Sequence, residues 1–200
     1  MTKRVSLVYQ SKVIYTVLMK CLYGQHYWER YRAIADKIPM GTSVIDLCSG
    51  DSVLYTRYLK GKNKYTGLDM NPLTTFNSQW AKIIKRDIVK EEIPKADYIV
   101  MQGSLYQFIP NHKDIIQKML DSARYKVIIS EPIINLVNSK NKIISTLAKH
   151  SANPGTGNKK IRFTKESLNV DLHRHFKRNI ENIYLIAGGR DMLVVLNAQL

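Results

Sequence analysis

Three aspartates stand where short β-prone runs end. Asp46 sits near the end of Ser43-Val44-Ile45-Asp46-Leu47, Asp69 ends Lys64-Tyr65-Thr66-Gly67-Leu68-Asp69, and Asp87 follows Ile83 to Arg86. In open parallel sheets, ligands bind in the crevice beyond the carboxyl ends of the strands. A carboxylate at the second such end can accept both hydroxyl hydrogens of a ribose, and one at the third can accept from an exocyclic amine of adenine. Met70 and Ile88 would supply apolar faces for the ring. The turn Cys48-Ser49-Gly50-Asp51 is built of small residues, and Gly50 lets a ligand approach the backbone. The competing reading makes each aspartate a solvent-facing turn residue or helix cap. Three acids at successive strand ends favour the nucleoside reading.

Other reactive side chains are scattered. Glu131 after the run Lys126 to Ser130, together with Tyr106, His26 and His150, could act as a base for a hydroxyl substrate. Each also has a plain structural role available, in a strand exit, in the core or on the surface. His173 and His175 lie two apart on a helical stretch, face different ways and lack a carboxylate cluster, so no metal site is expected. Cys48 has no neighbouring His and reads as a small strand-end residue rather than a nucleophile. Residues 46–53 lack the further glycines that a dinucleotide pyrophosphate needs, which argues against nicotinamide binding.

The elements that must position these residues alternate. Strands are expected at 43–47, 64–69, 83–86, 98–101 and 126–130, with helical spacing over 53–59, from Pro72 towards Lys82, and after an Asn111 cap through Ile115, Ile116, Met119, Leu120 and Ala123. This is the rhythm of a mostly parallel sheet. Farther on, a helical pattern at 143–148, a loop at 153–157 and a Thr164-capped helix precede two strands, 183–187 and 192–196, joined by Gly188-Gly189-Arg190-Asp191. Before the sheet, two amphipathic helices carry stripes from Val13 to Leu22 and from Tyr27 to Ile38, ended by Gly24 and Pro39. The first could lie on an anionic membrane, but packing over the ligand edge of the sheet fits an ordinary core stripe better. The Tyr23, His26, Tyr27 and Trp28 cluster could close over a bound donor or stack on an aromatic acceptor; helix packing is slightly favoured.

Bulk properties bound the rest. The 200 residues are 44% hydrophobic and carry 31 Lys plus Arg against 16 Asp plus Glu, a formal charge of +15. That suits a single domain with a sizeable core and excludes a disordered tail. The charge attracts polyanions, yet the basic residues are dispersed and read as a solvated surface. No run approaches the roughly 18 apolar residues of a membrane span, the Met1 end shows no secretory pattern, and Cys21 and Cys48 are too few for a disulfide framework; a cytoplasmic protein is expected.

On these motifs the chain resembles the class I S-adenosylmethionine-dependent methyltransferases, over residues 43–131 motif by motif and over 181–197 by topology. The resemblance implies a Rossmann-like three-layer sandwich, a mostly parallel seven-stranded sheet ending in an antiparallel hairpin, in a single domain with N-terminal helices. It implies a donor site at Asp46, Cys48, Ser49, Gly50, Asp69, Met70, Asp87 and Ile88, with Met101, Gln102 and Gly103 of the fourth strand's exit beside the sulfonium. Cys48 and Ser52 depart from the pattern, replacing the first and third glycines of the family's turn. Leu105-Tyr106-Gln107-Phe108 stands where many small-molecule members have Leu-His-His.

Methyl transfer by in-line displacement to a small-molecule or glycan-like acceptor is the reading favoured, with Glu131, Tyr106 and His26 as candidate catalytic groups and S-adenosylhomocysteine as product. RNA methylation is the alternative motivated by charge, and a non-catalytic S-adenosylmethionine-binding protein the one motivated by the missing glycines. Residues 1–40 form an expected helical cap and 132–163 a variable substrate or lid segment, whose Lys159, Lys160 and Arg162 would favour an anionic acceptor.

Overall fold

A computed structural model describes residues 12–134 and 161–199. The chain opens with α1 (Lys12–Tyr23), a 3-10 turn (Gly24–His26) and α2 (Tyr27–Ala35). Next come β1 (Ser43–Leu47), a π-helical turn (Tyr55–Leu59), β2 (Lys64–Asp69), β3 (Ala81–Lys85) and β4 (Ala96–Gln102). A second 3-10 turn (Leu105–Phe108) leads to α3 (His112–Ser122) and β5 (Ala123–Pro132), and α4 (Lys165–His175), β6 (Ile180–Ile186) and β7 (Asp191–Asn197) complete the described part.

The strands form one sheet in the order β3-β2-β1-β4-β5-β7-β6. β1 to β5 pair in parallel, whereas β7 is antiparallel to both β5 and β6, so β7 alone runs against the rest. The order reverses between β1 and β4, the place where such sheets open a crevice. The expected seven-stranded sheet with its closing hairpin is therefore present.

Side-chain alternation splits the core into two layers. Ile45 and Leu47 face α3 and α4 with Ile99, Met101, Val127 and Ile129. Val44 faces α2 with Tyr65, Val100, Ile128 and Leu193, where Tyr27, Tyr31 and Ile34 supply the helix stripe. Tyr23 and Tyr27 are buried in that packing, and the Trp28 ring carries the cations of Lys20 and Arg57.

Four expectations need correction. Residues 70–80 form turns, not a helix beginning at Pro72. Their backbone is bonded elsewhere: the Asp69 carboxylate accepts from Asn71 N, Gly50 O accepts from Leu73 N, and Ser78 N donates to Ala81 O. β3 consequently starts at Ala81, two residues before the expected strand. Asn111 precedes α3 without a side-chain capping bond, while Thr164 caps α4 through reciprocal bonds with Ser167. α2 ends at Ala35, before Pro39. The helix expected at 143–148, the loop at 153–157, His150, and Lys159 and Lys160 lie outside the described residues.

Candidate active site

The turn after β1 explains why its sequence pattern is tight. Cys48, Gly50 and Ser52 have φ of 56°, 51° and 53°, so every second residue is left-handed. Glycine adopts this region freely, whereas Cys48 and Ser52 do so at a cost of roughly 1 kcal/mol each. The geometry is thus kept where two glycines are absent. The turn curls the chain so that Ser49 N bonds Leu68 O and Gly50 N bonds the carboxylate of Asp69, tying β1 to β2.

Below the strand ends lies a cavity of about 710 Å³. Asp46, Asp69 and Asp87 all line it, as do Cys48, Ser49, Gly50, Met70, Ile88, Gln102 and Gly103. Met101 does not: it is fully buried among the side chains facing α3 and α4.

The three acids differ in setting. Asp46 faces α2 and accepts from Tyr65 Oη at 2.8 Å; burial lifts its pKa to about 7, opposed by that hydrogen bond and reinforced by Asp69 and Asp51. Asp69 is aimed by two backbone donors, Gly50 N at 2.9 Å and Asn71 N at 2.7 Å. Asp87 caps a turn through Val89 N at 3.0 Å and has Lys90 at 3.8 Å. Asp69 and Asp87 therefore play the turn role and line the cavity as well. Burial with the Asp69 and Asp46 charges pushes the Cys48 thiol far up, so it is not a thiolate.

The candidate bases stand elsewhere. Glu131 is fully buried, accepts from Leu105 N at 2.9 Å and has its pKa raised by burial to about 8. Tyr106 lies beneath the Arg162 guanidinium, 3.3 Å from the ring centre. His26 bonds Glu29 at 2.6 Å and packs by Gly188 of the hairpin. None of the three lines the cavity.

Sequence reasoning missed other lining residues, among them Arg30, Tyr31, Arg86, Phe108 and Lys118. Arg30 had a readable signal, a charge inside the buried stripe of α2. Its partner, Asp191, lies 161 residues away and carries no local sign. Among the described residues no group of His, Cys, Asp and Glu could hold a metal ion.

No protein-family model matches the chain, and no curated protein matches it in sequence. Solved structures do. The O-methyltransferase family 2 protein of Planctomyces limnophilus, solved with apigenin, superposes with a TM-score of 0.59 at 15% identity, over 92% of this chain and 60% of that one. The methyltransferase in complex with the Haloferax volcanii Trm112 activator gives 0.63 at 10%, over 90% and 93%. Human N-acetylserotonin methyltransferase, solved with S-adenosylmethionine, gives 0.58 at 12%, over 95% and 57%. The fold is that of the class I methyltransferases. The chain spans about three fifths of the length of the first and third of these structures. In this methyltransferase fold the cavity occupies the crevice where the strand order reverses, and its residues fit an adenosyl donor. Acids stand at three strand ends, Met70 and Ile88 are apolar, and the buried Gln102 carboxamide nitrogen has no hydrogen-bond partner among the described residues.

Proposed function

We propose that the chain is an S-adenosylmethionine-dependent methyltransferase acting on a small-molecule or glycan-like acceptor. The observation that carries this reading is the convergence of Asp46, Asp69 and Asp87 on one cavity. Asp69 would hold the ribose hydroxyls, Asp87 the adenine amine, and the β1 turn with Gln102 and Gly103 the amino-acid end. The bound donor supplies a methyl group already activated on a sulfonium. The chain then has only to hold the acceptor in line, and such positioning can lower a barrier by about 7 to 11 kcal/mol. In this reading Glu131, Tyr106 and His26 are not the bases, because they do not line the cavity. The named substrates and ligands of the structural neighbours, apigenin and N-acetylserotonin, support a small acceptor by analogy.

Isothermal titration with S-adenosylmethionine and S-adenosylhomocysteine tests the reading. Binding of both at one site per chain is expected; binding of neither ends it. The formal charge of +15 favours a second reading, RNA methylation. Retention on tRNA or rRNA that weakens steeply with salt would favour RNA, and no retention at low salt would remove it.

A further inference from the structure

Residues 52–86 hold seven Lys or Arg and a single acid, Asp69, which is turned to the backbone donors of Gly50 and Asn71. Five of the seven, Lys60, Lys62, Lys64, Lys82 and Lys85, are exposed. None of the five forms an ion pair among the described residues, whereas Lys90, Arg124 and Lys126 do.

The sheet register gathers them. β3 is the outermost strand on its side of the sheet, and Tyr65 of β2 pairs with Ala81 of β3. Lys64 therefore lies beside Trp80, whose carbonyl accepts from Tyr65 N at 2.9 Å, and Lys82 follows on the same side of the strand. Lys60 and Lys62 stand in the turn that feeds β2. Along β3 the row continues through Lys85 to Arg86, which lines the cavity about 20 Å from Trp80 by strand length. Trp80 is 62% exposed and has no ring or cation against it among the described residues, unlike Trp28, which carries Lys20 and Arg57.

Lysines on an edge strand commonly keep it from pairing with another chain. Here the chain itself covers the edge: Ile83 N donates to Phe76 O at 3.0 Å, Ala81 N to Ser78 Oγ at 3.0 Å, and Ala81 O accepts from Ser78 N at 2.8 Å. A partner is thus met by side chains rather than by strand addition. A membrane surface calls for several apolar anchors, but Asn77, Ser78 and Gln79 beside Trp80 are exposed and polar. Unpaired cations around one open indole match a strand that offers phosphates and free base faces together. Unpaired bases are typical of RNA loops and ends.

We propose that Trp80 and these five lysines form a docking track for single-stranded RNA. The track lies outside the cavity, so it stands or falls apart from the adenosyl reading.

Fluorescence anisotropy with a labelled oligouridine over a salt series tests it, on the unaltered protein, on Trp80→Ala and on the combined variant Lys62→Gln, Lys64→Gln, Lys82→Gln. All four positions are exposed, and both variants should keep the Tm and the S-adenosylhomocysteine affinity of the parent. The lysine variant is expected to flatten the slope of log affinity against log salt by about 2. Trp80→Ala should weaken binding about tenfold at fixed salt and leave that slope unchanged. No binding at low salt, or full affinity in both variants, overturns the track. Full affinity in Trp80→Ala alone, or equal competition by duplex DNA, also overturns it, because charge then acts without base stacking. Trp80-dependent binding to phosphatidylserine vesicles in place of oligouridine overturns it as well, since the occupant is then a membrane.

Discussion

At the scale of single residues, two positions separate ligand binding from the cost of shaping the site. Asp69 is oriented by backbone donors from both flanking turns, so Asp69→Ala deletes an already aimed charged acceptor. The expected loss in S-adenosylhomocysteine binding is about 2 kcal/mol, roughly thirtyfold by calorimetry. Unchanged affinity in a folded variant would remove Asp69 from the site. Ser52 shows the opposite economy, because it holds φ of 53° where glycine would hold it without strain. Ser52→Gly should raise stability by about 1 kcal/mol, a shift of about 2 to 4 °C in Tm. A fall in Tm would mean that the serine side chain outweighs the backbone strain.

At the scale of elements, the segment bearing Asp87 depends on a lysine from another layer. Lys118 of α3 donates to the carbonyls of Ile88 at 3.2 Å and Val89 at 2.9 Å, and approaches that of Glu91 at 3.5 Å. Lys118→Met should loosen this turn and weaken S-adenosylhomocysteine binding by about 1 kcal/mol, with little change in Tm. A full-affinity variant would show that the turn holds its shape without the lysine.

The same scale explains what could be read in advance. β1 and β2 were legible because β-branched and apolar runs end at an acid followed by small or polar turn residues. The stretch after β2 was not. Pro72 carries a helix-start signature, but Asp69 and Gly50 bind the nearby backbone donors first. The three candidate bases lie off the cavity. Glu131 ends a strand and His26 precedes a helix, and the strand and helix faces turn them towards Leu105 N and Glu29.

At the scale of the whole molecule, buried acids give stability a definite pH dependence. Glu131 and Asp46 have pKa values of about 8 and about 7 in the folded chain, above the ordinary 4.5 and 3.8. The folded state therefore binds more protons than the unfolded one between those limits. Their contribution is complete below about pH 4 and is lost as pH rises to about 8, at up to about 1.4 kcal/mol per pH unit per group. Glu131→Gln should flatten the decline between about pH 5 and 8, read from denaturant midpoints. Parallel curves for the two proteins would show that Glu131 is ionised in the fold.

The sheet order brings Asp46, Asp69 and Asp87 to one cavity, and the central claim is that Asp69 and Asp87 grip a single adenosyl group there. A crystal structure grown with S-adenosylhomocysteine tests it most directly. The account predicts ribose hydroxyls bonded to Asp69 and the adenine amine at Asp87. A ligand bound elsewhere, or lying in this cavity without touching either carboxylate, would contradict it.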